Sequence, residues 1–204
     1  MARLLELFSG TKSVSNAVGH RFTEIISVDI LQKFQPTHVA DILAWEYTIY
    51  PPGYFQVIWA SPPCTEYSKM KYITGAPRNL ELADRIVKRT IEIIEYFQPD
   101  KWFIENPQTG LLKDRDFMLG IPFTDVDYCR YSDWGYKKKT RIWTSQDYEG
   151  RVCNKQCGNM TNGHHRNPIM PFKEYTIDKS SASYSTKDFL YRIPEQLIVE
   201  LFDS

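Results

Sequence analysis

Cys64 stands on a stretch that few structural cysteines occupy. The run Trp59-Ala60-Ser61-Pro62-Pro63-Cys64-Thr65-Glu66-Tyr67-Ser68 carries an apolar segment, Tyr54 to Trp59, straight into two prolines and a thiol. Each proline fixes its own φ, and Pro63 also restricts Pro62, so the thiol sits on a stiff turn at the carboxyl end of a predicted strand. In open α/β sheets that end is where ligands bind. A lone cysteine is more often a small buried hydrophobe, but the prolines and the polar run that follows argue for a presented nucleophile. A second chemistry-bearing residue has the same placement. Lys101-Trp102-Phe103-Ile104-Glu105-Asn106-Pro107 predicts a strand that closes on a carboxylate. Glu105 would share the sheet edge with Cys64, which makes it an acid/base candidate.

Two further groups of residues suggest ligands. Ala2 to Phe8 predicts a first strand, Ser9-Gly10-Thr11-Lys12-Ser13 a small-residue turn, and Val14 to Val18 the start of a helix. That unit sets backbone N–H groups beside a polar ligand. Glu24 to Asp29 predicts a second strand ending in an acid, and Thr37 to Asp41 repeats the pattern more weakly. Acids at such strand ends can hold ribose hydroxyls, although either one alone could equally be a solvated strand end or a helix cap. Later, Cys153 and Cys157 precede His164-His165, in a loop of Gly, Asn and Met that could not build a core. Thiols at this spacing followed by histidine suit a structural zinc, with Cys129 completing the set. Either histidine fits, and His164 is the working choice.

Stepping outward from these residues, Leu80 to Phe97 predicts a helix, with Leu82, Ile86, Thr90, Ile93, Ile94 and Phe97 on one face. Asp125 to Tyr131 predicts a strand containing Cys129, and Ile142 to Thr144 a short strand. Ile193 to Phe202 predicts a closing helix, with proline in its first turn. Pro168 to Ser185 has no periodicity and predicts a loop. The chain has 204 residues, 42% of them hydrophobic, which is a globular composition with enough length for one substantial core. A formal net charge of +0 excludes a strong global pull on nucleic acid. The 14% aromatic content and the basic-aromatic turn Trp134-Gly135-Tyr136-Lys137-Lys138-Lys139 leave room for local nucleic-acid contact. The four cysteines, with no signal peptide and no 18-residue apolar run, lead us to expect a soluble, intracellular (cytoplasmic) protein with no membrane partner.

These motifs, taken in order, resemble the cytosine-C5 DNA methyltransferases, especially their short bacteriophage-type forms. Leu5-Glu6-Leu7-Phe8-Ser9-Gly10 is similar to the family's first cofactor motif, Pro62-Pro63-Cys64 to its catalytic Pro-Cys, and Glu105-Asn106-Pro107 to its Glu-Asn-Val. Lys139-Thr140-Arg141-Ile142-Trp143 resembles its Arg-x-Arg motif, and Arg192-Ile193-Pro194 its last motif. The match covers roughly residues 3–145 and 185–203. Lys12 replaces a glycine, Thr65 a glutamine, Pro107 a valine and Lys139 an arginine of the family pattern. About 40 residues stand where the family has a large target-recognition domain.

The resemblance implies an α/β fold: a Rossmann-like, doubly wound, mostly parallel sheet in a single catalytic domain spanning residues 1–204, with 146–184 a short insertion carrying the zinc site. It implies S-adenosylmethionine as cofactor, in a pocket of Phe8, Gly10, Asp29, Ile30, Asp41, Ile42 and Pro62. Asp29 would meet the ribose and Asp41 the adenine amino group. It further implies methylation of cytosine C5 in DNA on a flipped-out base. Cys64 would attack C6, with a helix starting just after it to lower its pKa. Glu105 would hold N3 and the exocyclic amine, and Arg141 the O2 side. Two alternatives stay open: a catalytically silent nucleic-acid-binding module, or an enzyme of the same fold acting on RNA or using a modified cofactor.

Overall fold

The structure is a computed structural model and describes residues 2–167 and 190–204. Seven strands form the main sheet: β1 (Arg3–Leu7), β2 (Glu24–Asp29), β3 (His38–Val39), β4 (Val57–Ala60), β5 (Lys101–Pro107), β6 (Phe123–Asp127) and β7 (Lys139–Thr144). Their order is β3-β2-β1-β4-β5-β7-β6. The first five run parallel, and β7 lies antiparallel to both β5 and β6. A two-stranded hairpin, β8 (Met160–Thr161) with β9 (His164–His165), stands apart. The described helices are α1 (Ser13–Val18), α2 (Lys69–Ile73), α3 (Leu80–Phe97) and α4 (Glu195–Asp203).

The central strands are apolar at nearly every position because both sheet faces are covered, as parallel sheets require. Side chains alternate between faces with period two. Leu5, Ile58 and Ile104 therefore join Val87, Ile93 and Phe97 of α3 in one core. Leu4, Trp59 and Phe103 join Val14 and Val18 of α1 and Leu197 and Leu201 of α4 in the other. Phe103 stacks on Phe202 at 5.4 Å between centroids, which seats α4 against the sheet. The mostly parallel sheet with helices on both faces agrees with the expected class. No described helix is long and apolar enough to cross a membrane.

Several boundaries differ from expectation. β4 begins at Val57; Tyr54 and Phe55 precede it, and Phe55 packs edge-on to Phe97 at 4.9 Å. The strand expected over Asp125 to Tyr131 stops at Asp127, and Tyr128–Arg130 forms a 3-10 turn. Cys129 thus leaves the sheet and turns toward the β8–β9 hairpin. In α3, Leu82 is 39% exposed. The buried stripe runs instead through Ala83, Val87, Thr90, Ile94 and Phe97, and it admits Asp84 because Tyr67 Oη and the Arg115 guanidinium hydrogen-bond its carboxylate. α4 starts after an extended Pro194. The loop expected over Pro168 to Ser185 lies outside the described residues.

From Gly150 to Cys153 the chain runs along β6. Thr124 Oγ1 accepts from Gly150 N at 2.8 Å, and Asp127 N donates to Arg151 O at 3.0 Å. A methyl group on Gly150 would stand 2.4 Å from Asp125 O and 2.8 Å from Val126 Cγ1. Gly150→Ala should therefore cost about 1–3 kcal/mol through overpacking against backbone. Urea unfolding of the variant with an unchanged midpoint would show that the chain does not lie this close to β6.

Candidate active site

β1 lies between β2 and β4, and the connections leaving β1 and β4 diverge to opposite faces. A crevice opens at that point, as at any topological switch in such a sheet. It holds a cavity of about 330 Å³ lined by residues of both halves, within the usual range for small-molecule sites.

The first half of the cavity is built on the turn after β1. Phe8, Gly10 and Lys12 all take positive φ, at 57°, 45° and 57°. Only glycine adopts this conformation without cost. Lys12, standing where the related motif has glycine, keeps the left-handed backbone, and its Nζ donates to Gln35 O at 2.6 Å. Asp29 braces the turn: Oδ2 accepts from Gly10 N at 2.9 Å and Oδ1 from Leu31 N at 2.8 Å. Asp41 Oδ1 accepts from Leu43 N at 3.0 Å. Phe8, Gly10, Asp29, Ile30, Asp41, Ile42 and Pro62 all line the cavity. So does Ser9, whose buried hydroxyl has no hydrogen-bond partner among the described residues. The chain returns to this half at its end, where Ile193 N donates to Ser13 Oγ at 3.1 Å and Tyr191 and Ile193 join the lining.

Glu6 lies beneath this turn. Its carboxylate accepts from Val14 N at 3.3 Å and Ser15 N at 3.2 Å, and from Ser15 Oγ. Burial raises its pKa from 4.5 to about 7, against these hydrogen bonds and the charge of Lys12. Glu6 belongs to the stretch that resembles the first cofactor motif but was not among the expected site residues, and it too lines the cavity. The sequence signal was available: a carboxylate inside an otherwise apolar buried strand.

The second half carries the reactive groups. β4 and β5 pair in parallel, with Ala60 opposite Ile104. Both strands therefore deliver their next residues to one edge, and Cys64 and Glu105 line the same cavity. Asn106 Nδ2 donates to Pro62 O at 2.9 Å, which ties the cysteine turn to β5. Downstream, Tyr67 is buried on Asp84 at 2.9 Å. Burial pushes the Cys64 thiol pKa up; Lys138 lowers it and Glu105 raises it. The expected helix start behind the thiol is absent, since α2 begins only at Lys69, so no helix N-terminus offsets the burial.

Glu105 Oε1 accepts from Tyr128 Oη at 2.9 Å and lies 3.4 Å from Lys138 Nζ. Burial first, then the neighbouring carboxylate, raises the Tyr128 pKa well above the ordinary value, which keeps it a donor. Lys138 also lines the cavity, and its role was missed in the sequence because it lies inside a lysine run. Arg141 is placed elsewhere. Glu105 pairs with Ile142 across β5–β7, and alternation turns Arg141 to the other face. There it forms a two-pronged pair with Asp125 at 2.7 and 2.8 Å and covers the Phe123 ring at 3.5 Å.

Beyond β6, the ligand atoms of Cys129, Cys153, Cys157 and His165 all lie within 4.8 Å of one another. His165 Nε2 is 3.6 Å from Cys153 Sγ and 3.4 Å from Cys157 Sγ. Burial first, then Lys137, lowers the His165 pKa, which favours the neutral imidazole. His164 is exposed and outside the cluster. The working choice of His164 is therefore corrected to His165, because neighbours on β9 face opposite sides.

Comparison with known proteins adds independent information. No family model matches the chain. A protein of Frog virus 3 (isolate Goorha), described as a probable DNA (cytosine-5)-methyltransferase, is 36% identical over 222 aligned positions, covering 98% of this chain and 99% of its own. Among solved structures, a prophage-encoded E. coli protein assigned as a DNA modification methyltransferase matches with a TM-score of 0.52 at 14% identity. That match covers 71% of this chain and 46% of the other, and at this identity it speaks to the fold alone.

The Glu6 environment makes a pH-dependent prediction. Its folded pKa, about 7, lies above the ordinary 4.5. The stability it contributes is fully present below 4.5 and is lost as pH rises through about 7. Denaturant unfolding across that window should show wild type losing stability more steeply than Glu6→Gln, and parallel curves would refute the assignment.

Proposed function

We infer that this chain, which belongs to the DNA (cytosine-5)-methyltransferase family, transfers a methyl group from S-adenosylmethionine to C5 of cytosine in DNA. The observation that carries the reading is the meeting of Cys64, Glu105 and Lys138 with the Phe8–Asp41 turn region in one cavity. The first half of the cavity suits the cofactor. Asp29 and Asp41 offer carboxylate oxygens for hydroxyl and amine groups, Phe8 an apolar wall, and Ser9 a buried hydroxyl with no partner among the described residues. Bound S-adenosylmethionine supplies an electrophilic methyl group.

The chain's own groups prepare the base. Cytosine C5 is a poor nucleophile until C6 is attacked, and a thiolate is suited to that addition. With its pKa raised by burial, Cys64 must lose its proton as the base arrives. The electron pair of the new S–C6 bond displaces the C5–C6 π pair, which makes C5 nucleophilic. The proton that Cys64 gives up reaches N3 through Glu105, which neutralises the charge developing there and accepts from the exocyclic amine. Tyr128 and Lys138 hold its carboxylate in place. Lys138, rather than Arg141, is the cation at the base. Loss of the C5 proton then restores the double bond and expels Cys64. Extruding the base from the duplex costs a few kcal/mol.

The Cys129, Cys153, Cys157 and His165 set suits one structural zinc: three thiols and one neutral imidazole, the closed donor set such sites use. It would staple the short insertion that stands in place of a large recognition domain.

Four measurements test these assignments. Nucleosides from DNA and RNA incubated with protein and S-adenosylmethionine should yield 5-methylcytosine from DNA; product from RNA alone would move the substrate class. Substituting 5-fluorocytosine blocks loss of the C5 substituent, so a covalent complex should accumulate in wild type and vanish in Cys64→Ala. Comparable turnover by Cys64→Ala would place the nucleophile elsewhere. Asp29→Ala should weaken cofactor binding in calorimetry, and unchanged affinity would remove Asp29 from the pocket. For the metal, purified protein should carry about one zinc per chain, lost in His165→Ala and kept in His164→Ala.

A further inference from the structure

The metal cluster and the reactive end of the cavity are joined by one short arm of chain, from Tyr128 to Lys138. We propose that the Cys129/Cys153/Cys157/His165 site, acting through Asn159, positions Tyr128 and Lys138 on Glu105. The inference rests on the zinc and methyl-transfer readings above and adds that the metal site supports catalysis as well as the fold.

The two ends of the arm meet at the sheet edge, where Tyr128 N donates to Lys138 O at 3.1 Å. Both end side chains reach the same carboxylate: Tyr128 Oη at 2.9 Å and Lys138 Nζ at 3.4 Å from Glu105 Oε1. The Lys138 ammonium also lies 4.7 Å over the Tyr128 ring. Between these ends the arm makes an irregular turn through Gly135, at φ 80°. Its polar backbone groups are met by the hairpin segment. Asn159 is 2% exposed and all four of its hydrogen-bonding positions are filled. Nδ2 donates to Cys129 O at 2.9 Å and to Ser132 O at 2.8 Å. Oδ1 accepts from Gly135 N at 3.1 Å and from the Arg166 guanidinium at 2.8 Å. Asn167 adds N to Gly135 O at 2.9 Å.

The adjacent lysines divide the work. Lys137 Nζ lies 2.9 Å from Asp127 Oδ2 and 3.3 Å from Cys153 O, and Cys153 N donates to that same Asp127 oxygen at 2.7 Å. Lys138 points the other way, into the cavity. The Cys153 loop thus grips one lysine while its neighbour serves Glu105. The segment that does the gripping has almost no apolar content. Such a segment is ordered by its metal, because ligation free energy is folding free energy there. A fully satisfied buried polar network then transmits that order to its neighbours.

The test uses the whole protein and three readouts: zinc per chain, hydrogen exchange of the 128–138 amides, and single-turnover kinetics. Asn159→Ala removes the link without removing a ligand. It should keep its zinc and its cofactor affinity within about two-fold, raise exchange across 128–138 by roughly ten-fold or more, and lower kcat about ten-fold with the cofactor KM unchanged. Combined with Lys138→Met it should lose little beyond Lys138→Met alone, because both act on one unit. Chelating zinc from wild type should raise exchange over 128–138 and leave β1 to β4 protected; if the sheet opens as well, Asn159→Ala decides. Zinc-loaded Asn159→Ala with wild-type exchange and kcat would overturn the proposal. Protein that binds no zinc overturns the metal reading, and zinc-bound wild type without methyl transfer overturns the activity, while the exchange result still decides the coupling.

Discussion

The site depends on the parallel pairing of β4 with β5. Ala60 opposite Ile104 sets the end of β4 level with the residue before Glu105, so the Pro62-Pro63-Cys64 turn and Glu105 reach the same edge. A register slip by one residue would move every side chain to the other face and send Glu105 away from the thiol. One hydrogen bond, Asn106 to Pro62 O at 2.9 Å, ties the two exits together. Asn106 is 1% exposed, where breaking this bond would strand a buried carbonyl, which is costly.

Burial sets the resting protonation of the reactive half. It raises the Cys64 thiol and the Tyr128 phenol, so both keep their protons until a substrate changes their surroundings. Lys138 is the countervailing charge, 13% exposed at its side chain beside an 8% exposed Glu105. A buried ion pair is weak support for stability, because desolvation offsets the attraction. Its value lies in holding a carboxylate in one orientation. Two groups from one arm, Tyr128 and Lys138, do that here.

The departures from the family's motif pattern become intelligible in three dimensions. Lys12 adopts the left-handed backbone that glycine would take, and its ammonium is captured by Gln35 O. Arg141 is held by Asp125 between aromatic rings on the far face of β7. The cation beside Glu105 comes from the irregular residue just before the strand. The Cys–His cluster of the insertion lies beside the arm rather than at a distance from the site.

Much of this was legible in the residue order. The alternation of apolar strands with the helix over Leu80 to Phe97 predicts a doubly wound sheet, because only parallel strands buried on both faces read as continuous apolar runs. The Pro-Pro-Cys turn and the strand ending in Glu105 mark one reactive edge, since local chain stiffness and strand length are properties of neighbouring residues. The spacing of three cysteines and a histidine pair points to side chains that gather, and Cys129, Cys153, Cys157 and His165 do. The tertiary structure decided what spacing cannot: His165 and not His164 stands with the cysteines, because pairing of β8 with β9 selects a face; Lys138, just before β7, and not Arg141 lies beside Glu105, because Ile142 pairs with Glu105 and its neighbour Arg141 turns to the other face; and no helix starts directly behind Cys64. It also gave Asn159 its place. A polar residue in a polar loop carries no local signal, and its place emerges only when the fold buries it with three hydrogen bonds to a distant segment.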